Sequence, residues 1–533
     1  MKKRYLLALP LLFSLGSCSL DENPIDMLPE DEAFKTPDLV YTNTVVGLYN
    51  DIRNLANVAT WDLSEQPTDE AMIPTRGNDW DDGGQFRALH AHTWTPSQNQ
   101  FNDSWQERYS AIGKCNQSLK IVENAKANNP TATFYDAYIA EIRALRALNY
   151  FYLLDQFGRI PISTSVDVAV SEVKQSKRSE VFKFVKDELD AVRPYLASAR
   201  SNQAGEYYGR MTKSTVFFLL AKMALNANVY TDDNWEVTGN NPQGSTDFTI
   251  DGNNVGAYQA VIAYCDSITK EGYDLEPSFA SNFAVKNETS NENIFVIPLD
   301  PSLYRQSSQI LYQRTLHYIH GKAFGLDTWN GACATIEMMQ AMGYGTETPD
   351  PRMALSFYTG KVKGPDGEYI KDEDGTDFAY LPMDVRLKMD TSDKSKKTGA
   401  RWAKYEIDRQ FQGSGDLVHN DFVLFRYADV LLMKAEAELR LGNEPEALKL
   451  VKKIRDRVGA SELTSVELDD ILKERMIELS WEMWRRNDMV RFGTFTKAYK
   501  DKEESAPYRI VYPIHQDILS GNHNLTQNPG YSK

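Results

Sequence analysis

Apolar positions along this 533-residue chain recur mainly three and four residues apart, the spacing of an amphipathic helix. Val40, Thr44, Gly47, Leu48 and Ile52 predict a helix from Pro37 to about Leu55. Trp105, Tyr109, Ile112, Leu119 and Val122 predict another, with Asp103 as its N-cap. Ile139, Ile142, Leu145, Leu148, Tyr152 and Leu153 mark a third from about Thr133, ended by Gly158 and Pro161. Further helical patterns cover residues 179–196, 212–230, 257–271, 422–441, 444–458 and 466–491. Elsewhere the period disappears. Residues 60–101 collect Gly, Asp, Pro and aromatics, and residues 273–420 read as loops and short strands. Ile294–Ile297 fits a buried strand, and Lys363-Gly364-Pro365-Asp366-Gly367-Glu368 a hairpin turn.

These helices are of a length to pair. Ala435-Glu436-Ala437-Glu438-Leu439-Arg440-Leu441-Gly442-Asn443, followed by Glu446-Ala447-Leu448, resembles the tetratricopeptide pattern, whose small residues let antiparallel helices approach closely. Residues 103–126 with 133–157, and 179–196 with 212–230, would stack in the same way. The expected fold class is mainly α. Tetratricopeptide-like helix pairs at about 103–271 and 422–491 form a scaffold, and the loop and short-strand region at about 60–101 and 273–420 packs against it. A single body would span 37–533.

The first residues belong to something else. Lys2, Lys3 and Arg4 precede an apolar run, Tyr5–Leu15, and then Gly16-Ser17-Cys18. That is an export signal too short to span a membrane as a permanent helix. Leu15-Gly16-Ser17-Cys18 resembles the lipobox of bacterial lipoproteins. The resemblance implies a signal peptide at 1–17, acylation of the Cys18 sulfur, and a lipid-anchored spacer at 18–36. Asp21 and Glu22 resemble the acidic signal that takes some Gram-negative lipoproteins to the cell surface. The competing reading is an ordinary secretory peptide with a chance cysteine.

Charge narrows the partners. The chain carries −16, and loss of Lys2, Lys3 and Arg4 leaves 56 basic against 75 acidic side chains, or −19. Such a surface is repelled by phosphate backbones and anionic headgroups, which argues against nucleic acid and leaves the acyl chains as the tether. The most apolar later stretch, Val216–Leu225, is short and broken by Lys222. Cys115, Cys265 and Cys333 are odd in number and lack CxxC spacing, so neither a disulfide framework nor a structural zinc site is expected.

Several segments together resemble the SusD/RagB family of outer-membrane glycan-binding lipoproteins. They are Glu141–Ala147 through Tyr150, Phe151, Phe157-Gly158 and Pro161-Ile162; Phe425–Ala437; Arg475–Gly493; Tyr512-Pro513-Ile514; and Gln527–Tyr531. His515 stands where the family usually has proline. The resemblance implies a surface lipoprotein that captures oligo- or polysaccharide and passes it to a SusC-like TonB-dependent transporter in the outer membrane. Most of the matching residues read as structural. Glu482 with Arg485 or Arg486, and Asp488 with Arg491, stand at helix-neighbour spacing, worth about 0.2–0.5 kcal/mol each.

A sugar offers an apolar C–H face and a rim of hydroxyls, so its site needs exposed aromatic planes flanked by polar groups. Trp80, among Gly, Asn and Asp, is the first candidate platform, with Asp69, Arg76 and Asp79 as a polar grip. Turn and salt-bridge chemistry explains those three equally well. The resemblance places the sugar between an N-terminal loop region and the middle region, which makes Trp329 the second platform. Tyr358, Trp402 and Tyr405 are weaker candidates that could equally pack the loop layer. Trp61, Trp94, Trp105, Trp481 and Trp484 read as core.

No HExxH, GxSxG or GxxxxGK[ST] motif occurs, so the reading is a binder rather than an enzyme, with no cofactor. His90 and His92 would share one face of a strand, but no third metal ligand is in view. A peptide-binding lid and a structural lid without a ligand remain alternatives.

Overall fold

The computed structural model describes Phe34, residues 36–302 and residues 311–532. Cys18, the signal peptide and nearly all of the spacer lie outside the described residues. A helical run begins at Pro37, capped by the Thr36 hydroxyl, and continues to Ala56 with one π-helical turn at Thr42–Val46. It leads to the long helix Asn99–Asn128, which starts four residues before Asp103. Phe134–Phe157 packs back against it and is stopped by Gly158 at φ 64°.

From there the helices stack in chain order. Arg178–Val192 packs on Phe134–Phe157, Lys213–Leu225 on Arg178–Val192, and Ala257–Lys270 on Lys213–Leu225. Tyr427–Arg440 then lies on Ala257–Lys270 and pairs with Glu444–Val458. This is the expected scaffold of helix pairs. One large apolar core runs through it and continues under the loop region, taking in Leu145, Leu219, Val261 and Leu432 together with Trp61, Trp94 and Trp402. Cys115, Cys265 and Cys333 are free and buried.

Tertiary contacts overrule the periodicity at several places. Phe422–Arg426 is a strand, not the start of a helix, and pairs antiparallel with Asn293–Ile297. Both strands are wholly buried, and Phe425 stacks on Phe218 at 4.3 Å. A short apolar run buried on both faces carries no period of its own, so the helix beyond it seemed to extend through it. Within 60–101, Val58–Ser64 and Gln85–His90 are short helices where loops were expected.

The predicted helix 466–491 is broken. Leu468–Leu479 ends, and Arg485–Arg491 begins after a turn in which Trp481 (φ 69°) and Met483 (φ 66°) are left-handed. The strain is held from far away in sequence. The Trp481 amide donates to the Glu70 carboxylate at 2.7 Å, and the Met483 amide to that of Glu65. Trp481 then lies between Trp61 and Trp402, with ring centroids at 4.4 and 4.1 Å.

The charged residues of the family-like segments pair across elements. Arg426 meets Glu292, Glu478 and Glu482, and Lys404 joins Glu482 at 2.6 Å. Arg475 bonds Asp429 and Asp488, and Arg491 bonds Glu436 and Asp488, all at 2.7–2.9 Å. Asp488 and Arg491 are thus neighbours as expected. Glu482 instead reaches Lys404 and Arg426 rather than Arg485 or Arg486. The surrounding arginines hold Glu478 and Asp488 well below the usual carboxylate range despite complete burial.

Candidate functional site

Two short strand pairs carry the N-terminal loop onto the middle region. Ala71–Met72 lies antiparallel to Cys333–Ala334, and Thr75–Arg76 parallel to Lys388–Met389. The result brings Trp80 to Trp329. The Trp80 indole N–H donates to the Trp329 carbonyl at 2.7 Å. Trp80 sits at φ 59° with its own carbonyl accepting from the Thr75 hydroxyl, so its backbone is fixed independently of its ring. Phe86 meets the ring edge-on at 5.2 Å, and the Arg314 guanidinium lies 5.3 Å from the ring centre. Asp62 pairs with Arg314 from beneath. Gly331 is required by the close approach, since a Cβ there would stand 2.6 Å from Trp80 Cζ2.

Trp329 is half-buried, and its amide donates to the Gln313 carbonyl at 2.9 Å. The next residue, Asn330 at φ 51°, sends its Nδ2 to the Lys396 carbonyl. Sequence reasoning missed Tyr318. It is 42% exposed at the first turn of Tyr318–Ala323, and its hydroxyl donates to Asp79 Oδ2 at 3.3 Å. In sequence it is one aromatic in an apolar stretch, which burial would explain as readily. Trp80 is thus tied to the Trp329 main chain, and Asp79, its neighbour in sequence, to the Tyr318 hydroxyl, which gathers three aromatic residues and a carboxylate in one place. That arrangement can stack on the C–H face of a ring and bond its rim.

The other candidates have different work. Arg76 is buried, and its guanidinium donates to the carbonyls of Asn330, Gly331 and Thr398, so it braces the Trp329 loop instead of gripping a ligand. Asp69 is taken by Arg485 in a two-pronged pair at 2.6 and 2.7 Å. Trp402 is 1% exposed in the tryptophan stack and Tyr405 is 2% exposed, its ring parallel to Phe422. Neither has a face to offer, because the loop layer they were expected to line is itself packed core. Tyr358 is largely covered, with the His320 ring edge-on at 4.6 Å, and burial pushes its hydroxyl up to about 12.

Two further groups of chemical interest serve the fold. Glu65 and Glu70 are buried side by side, and burial raises both, Glu70 to about 7 and Glu65 well above the usual carboxylate range. An adjacent carboxyl pair is a catalytic motif elsewhere, but these oxygens hold the amides of Met483 and Trp481. His90 ends a helix instead of lying on a strand. His90 bonds the Gln66 carbonyl and His92 the Pro67 carbonyl, and burial lowers both imidazoles. No group of three His, Cys, Asp or Glu able to hold a metal occurs among the described residues. A cleft of about 520 Å³ lined by Trp105, Tyr109, Ile112 and Leu525 shares no residue with the Trp80 cluster.

A family model described as the SusD family matches residues 223–506, more than half of the chain. The chain belongs to the SusD family. A second model, described as starch-binding associating with outer membrane, matches residues 20–225. Among curated relatives, the chain is 25% identical to the starch-binding protein SusD of Bacteroides thetaiotaomicron, over 89% of this chain and 85% of that protein. It is 24% identical to a SusD-like protein of Bacteroides ovatus, over 92% and 82%.

Solved structures share the SusD-like fold. A SusD-like protein from Bacteroides fragilis superposes with a TM-score of 0.70 at 20% identity, covering 95% of this chain and all of that one. A laminarin-binding SusD-like protein gives 0.68 at 21% identity, covering 92% and 99%. No helix among the described residues is long and apolar enough to cross a membrane.

Proposed function

We propose that this SusD-family protein is a cell-surface lipoprotein that binds oligo- or polysaccharide and passes it to a SusC-like TonB-dependent transporter. The observation that carries the reading is the Trp80 indole bonded to the Trp329 carbonyl, flanked by exposed Tyr318 and half-buried Asp79. Relatives described as binding starch and laminarin support it. Cys18 carries the lipid and the outer membrane is the site of action. Release into the transporter needs only micromolar to millimolar affinity, about −8 to −4 kcal/mol. No covalent step is required.

The test is a glycan screen on soluble protein starting after Cys18, by affinity electrophoresis and then calorimetry, beside a Trp80→Ala, Trp329→Ala double variant. Retention on one polysaccharide class, lost in the double variant, is the expected result. Retention that survives the substitutions would move the site elsewhere. Absence of binding to every glycan would leave the peptide-binding or structural lid.

A further inference from the structure

The loop that carries Trp329 rests on a floor of positive charge without matching acid. Arg76 and Arg401 are both buried, and neither makes an ion pair with a carboxylate among the described residues. Arg76 donates to the Asn330, Gly331 and Thr398 carbonyls. Arg401 donates to the Thr398, Gly399 and Lys396 carbonyls and to Asn330 Oδ1 at 2.8 Å. The Nε of each has no hydrogen-bond partner. Lys396, half-buried in the turn whose carbonyl holds Asn330, also has no acidic partner among the described residues.

A buried charge is ordinarily paired, because leaving water costs several kcal/mol that dipoles alone repay poorly. Arg426, Arg475 and Arg491 follow that rule, whereas Arg178 and Lys502, also buried, make no ion pair among the described residues, so Arg76 and Arg401 are set apart by lying together under one loop. Neighbouring groups register the imbalance here. Burial and the cations Arg401, Arg76, Lys397 and Lys396 press the His317 imidazole down to about 2, and burial with Arg401 takes His320 down to about 3. Burial and Arg76 lower Arg401 itself to about 10.

The acids nearby are largely engaged or lie in water. Asp62 pairs with Arg314, Asp372 with Lys397 and Asp81 with Arg87. Asp79 holds the Tyr318 hydroxyl, while Asp82 and Asp327 are exposed, where water screens them. Charges set in a low-dielectric wall act more strongly on the adjoining surface than exposed ones do.

We infer that the ligand taken at the Trp80–Trp329 platform is an acidic glycan, bearing carboxylate or sulfate groups, whose charge is met by Lys396 with Arg76 and Arg401 behind it. This rests on the glycan-binding reading above. An acidic ligand would supply the counter-charge that Arg76 and Arg401 lack among the described residues. It also accounts for a cationic floor in a chain of net charge −16.

The soluble chain after Cys18 is run by affinity electrophoresis and calorimetry against polygalacturonate, alginate and chondroitin sulfate, with amylopectin and laminarin as neutral probes. The expected result is binding to at least one anionic polymer that weakens about tenfold or more when salt is raised from low to high ionic strength. Lys396→Gln should weaken it about fivefold with an unchanged melting temperature, and Asp79→Asn should tighten it. Loss in the Trp80→Ala, Trp329→Ala variant ties the binding to this surface. Binding to a neutral glycan alone overturns the inference and leaves the glycan reading intact. Absence of binding to any glycan overturns both. Anionic binding indifferent to Lys396→Gln and to the tryptophan substitutions overturns the inference, since the charge is then met elsewhere.

Discussion

Two buried arginines, Arg426 in the scaffold and Arg76 in the loop region, are held by different kinds of partner. Arg426 sits at the end of a core strand among Glu292, Glu478 and Glu482, with Arg457 bridging two of the same acids. Arg76 is equally buried, yet its partners are three main-chain carbonyls in the loops that hold Trp329. The first arrangement locks strand to helix and closes on itself. The second fixes a loop and leaves its charge unanswered. Residues that carry the family resemblance most visibly are therefore scaffold, and the candidate site lies in a part of the chain with no such signature.

Breaking Arg426 should have the largest effect. Arg426→Leu removes the partner that Glu292, Glu478 and Glu482 share and should cost about 3–5 kcal/mol, measured by urea denaturation. Arg76→Leu removes donors from three carbonyls but no acid loses its partner, so about 1–3 kcal/mol is expected. Equal losses would erase the contrast. Next in size is Gly331→Ala. Its Cβ would collide with the Trp80 ring, and overpacking of this kind costs about 1–3 kcal/mol when it must be absorbed. The ring must move off its hydrogen bond to Trp329, so glycan affinity should fall severalfold and the melting temperature should drop with it. An unchanged affinity would mean that the Trp80 position does not matter.

The smallest effect concerns pH. Glu65 and Glu70 are raised in the fold, so the folded chain keeps protons that the unfolded chain releases above about 4.5. Stability is then lost as pH rises from that value through about 7. Glu65→Gln should flatten the fall in melting temperature between pH 5 and pH 8 by a few degrees. An identical slope would show that the pair stays ionised.

Much of the scaffold was legible. Residues 133–157, 257–271 and 444–458 became helices within a residue or two of their periodic limits. Ile294–Ile297 became a buried strand, and the hairpin at 363–368 closed with the Gly364 amide donating to the Glu368 carbonyl at 2.8 Å. The candidate site was legible only in part. Trp80 stood out because nothing apolar beside it called for burial and Trp329 because the family resemblance pointed to its region, whereas Trp402 and Tyr405 are buried because loop residues can also pack as core. Tyr318 gave no sign.

Periodicity belongs to local neighbours, so the chain alone settled which segments are helices and which faces they bury. Partner choice is a different matter. That Phe422–Arg426 is a strand depends on Asn293–Ile297, and that 480–484 is a turn depends on carboxylates more than 400 residues away. Whether Asp69 or Arg76 could meet a ligand was decided by Arg485 and by the carbonyls of Asn330 and Gly331. A polar side chain takes the strongest partner that folding brings within reach, and that partner has no fixed distance in sequence.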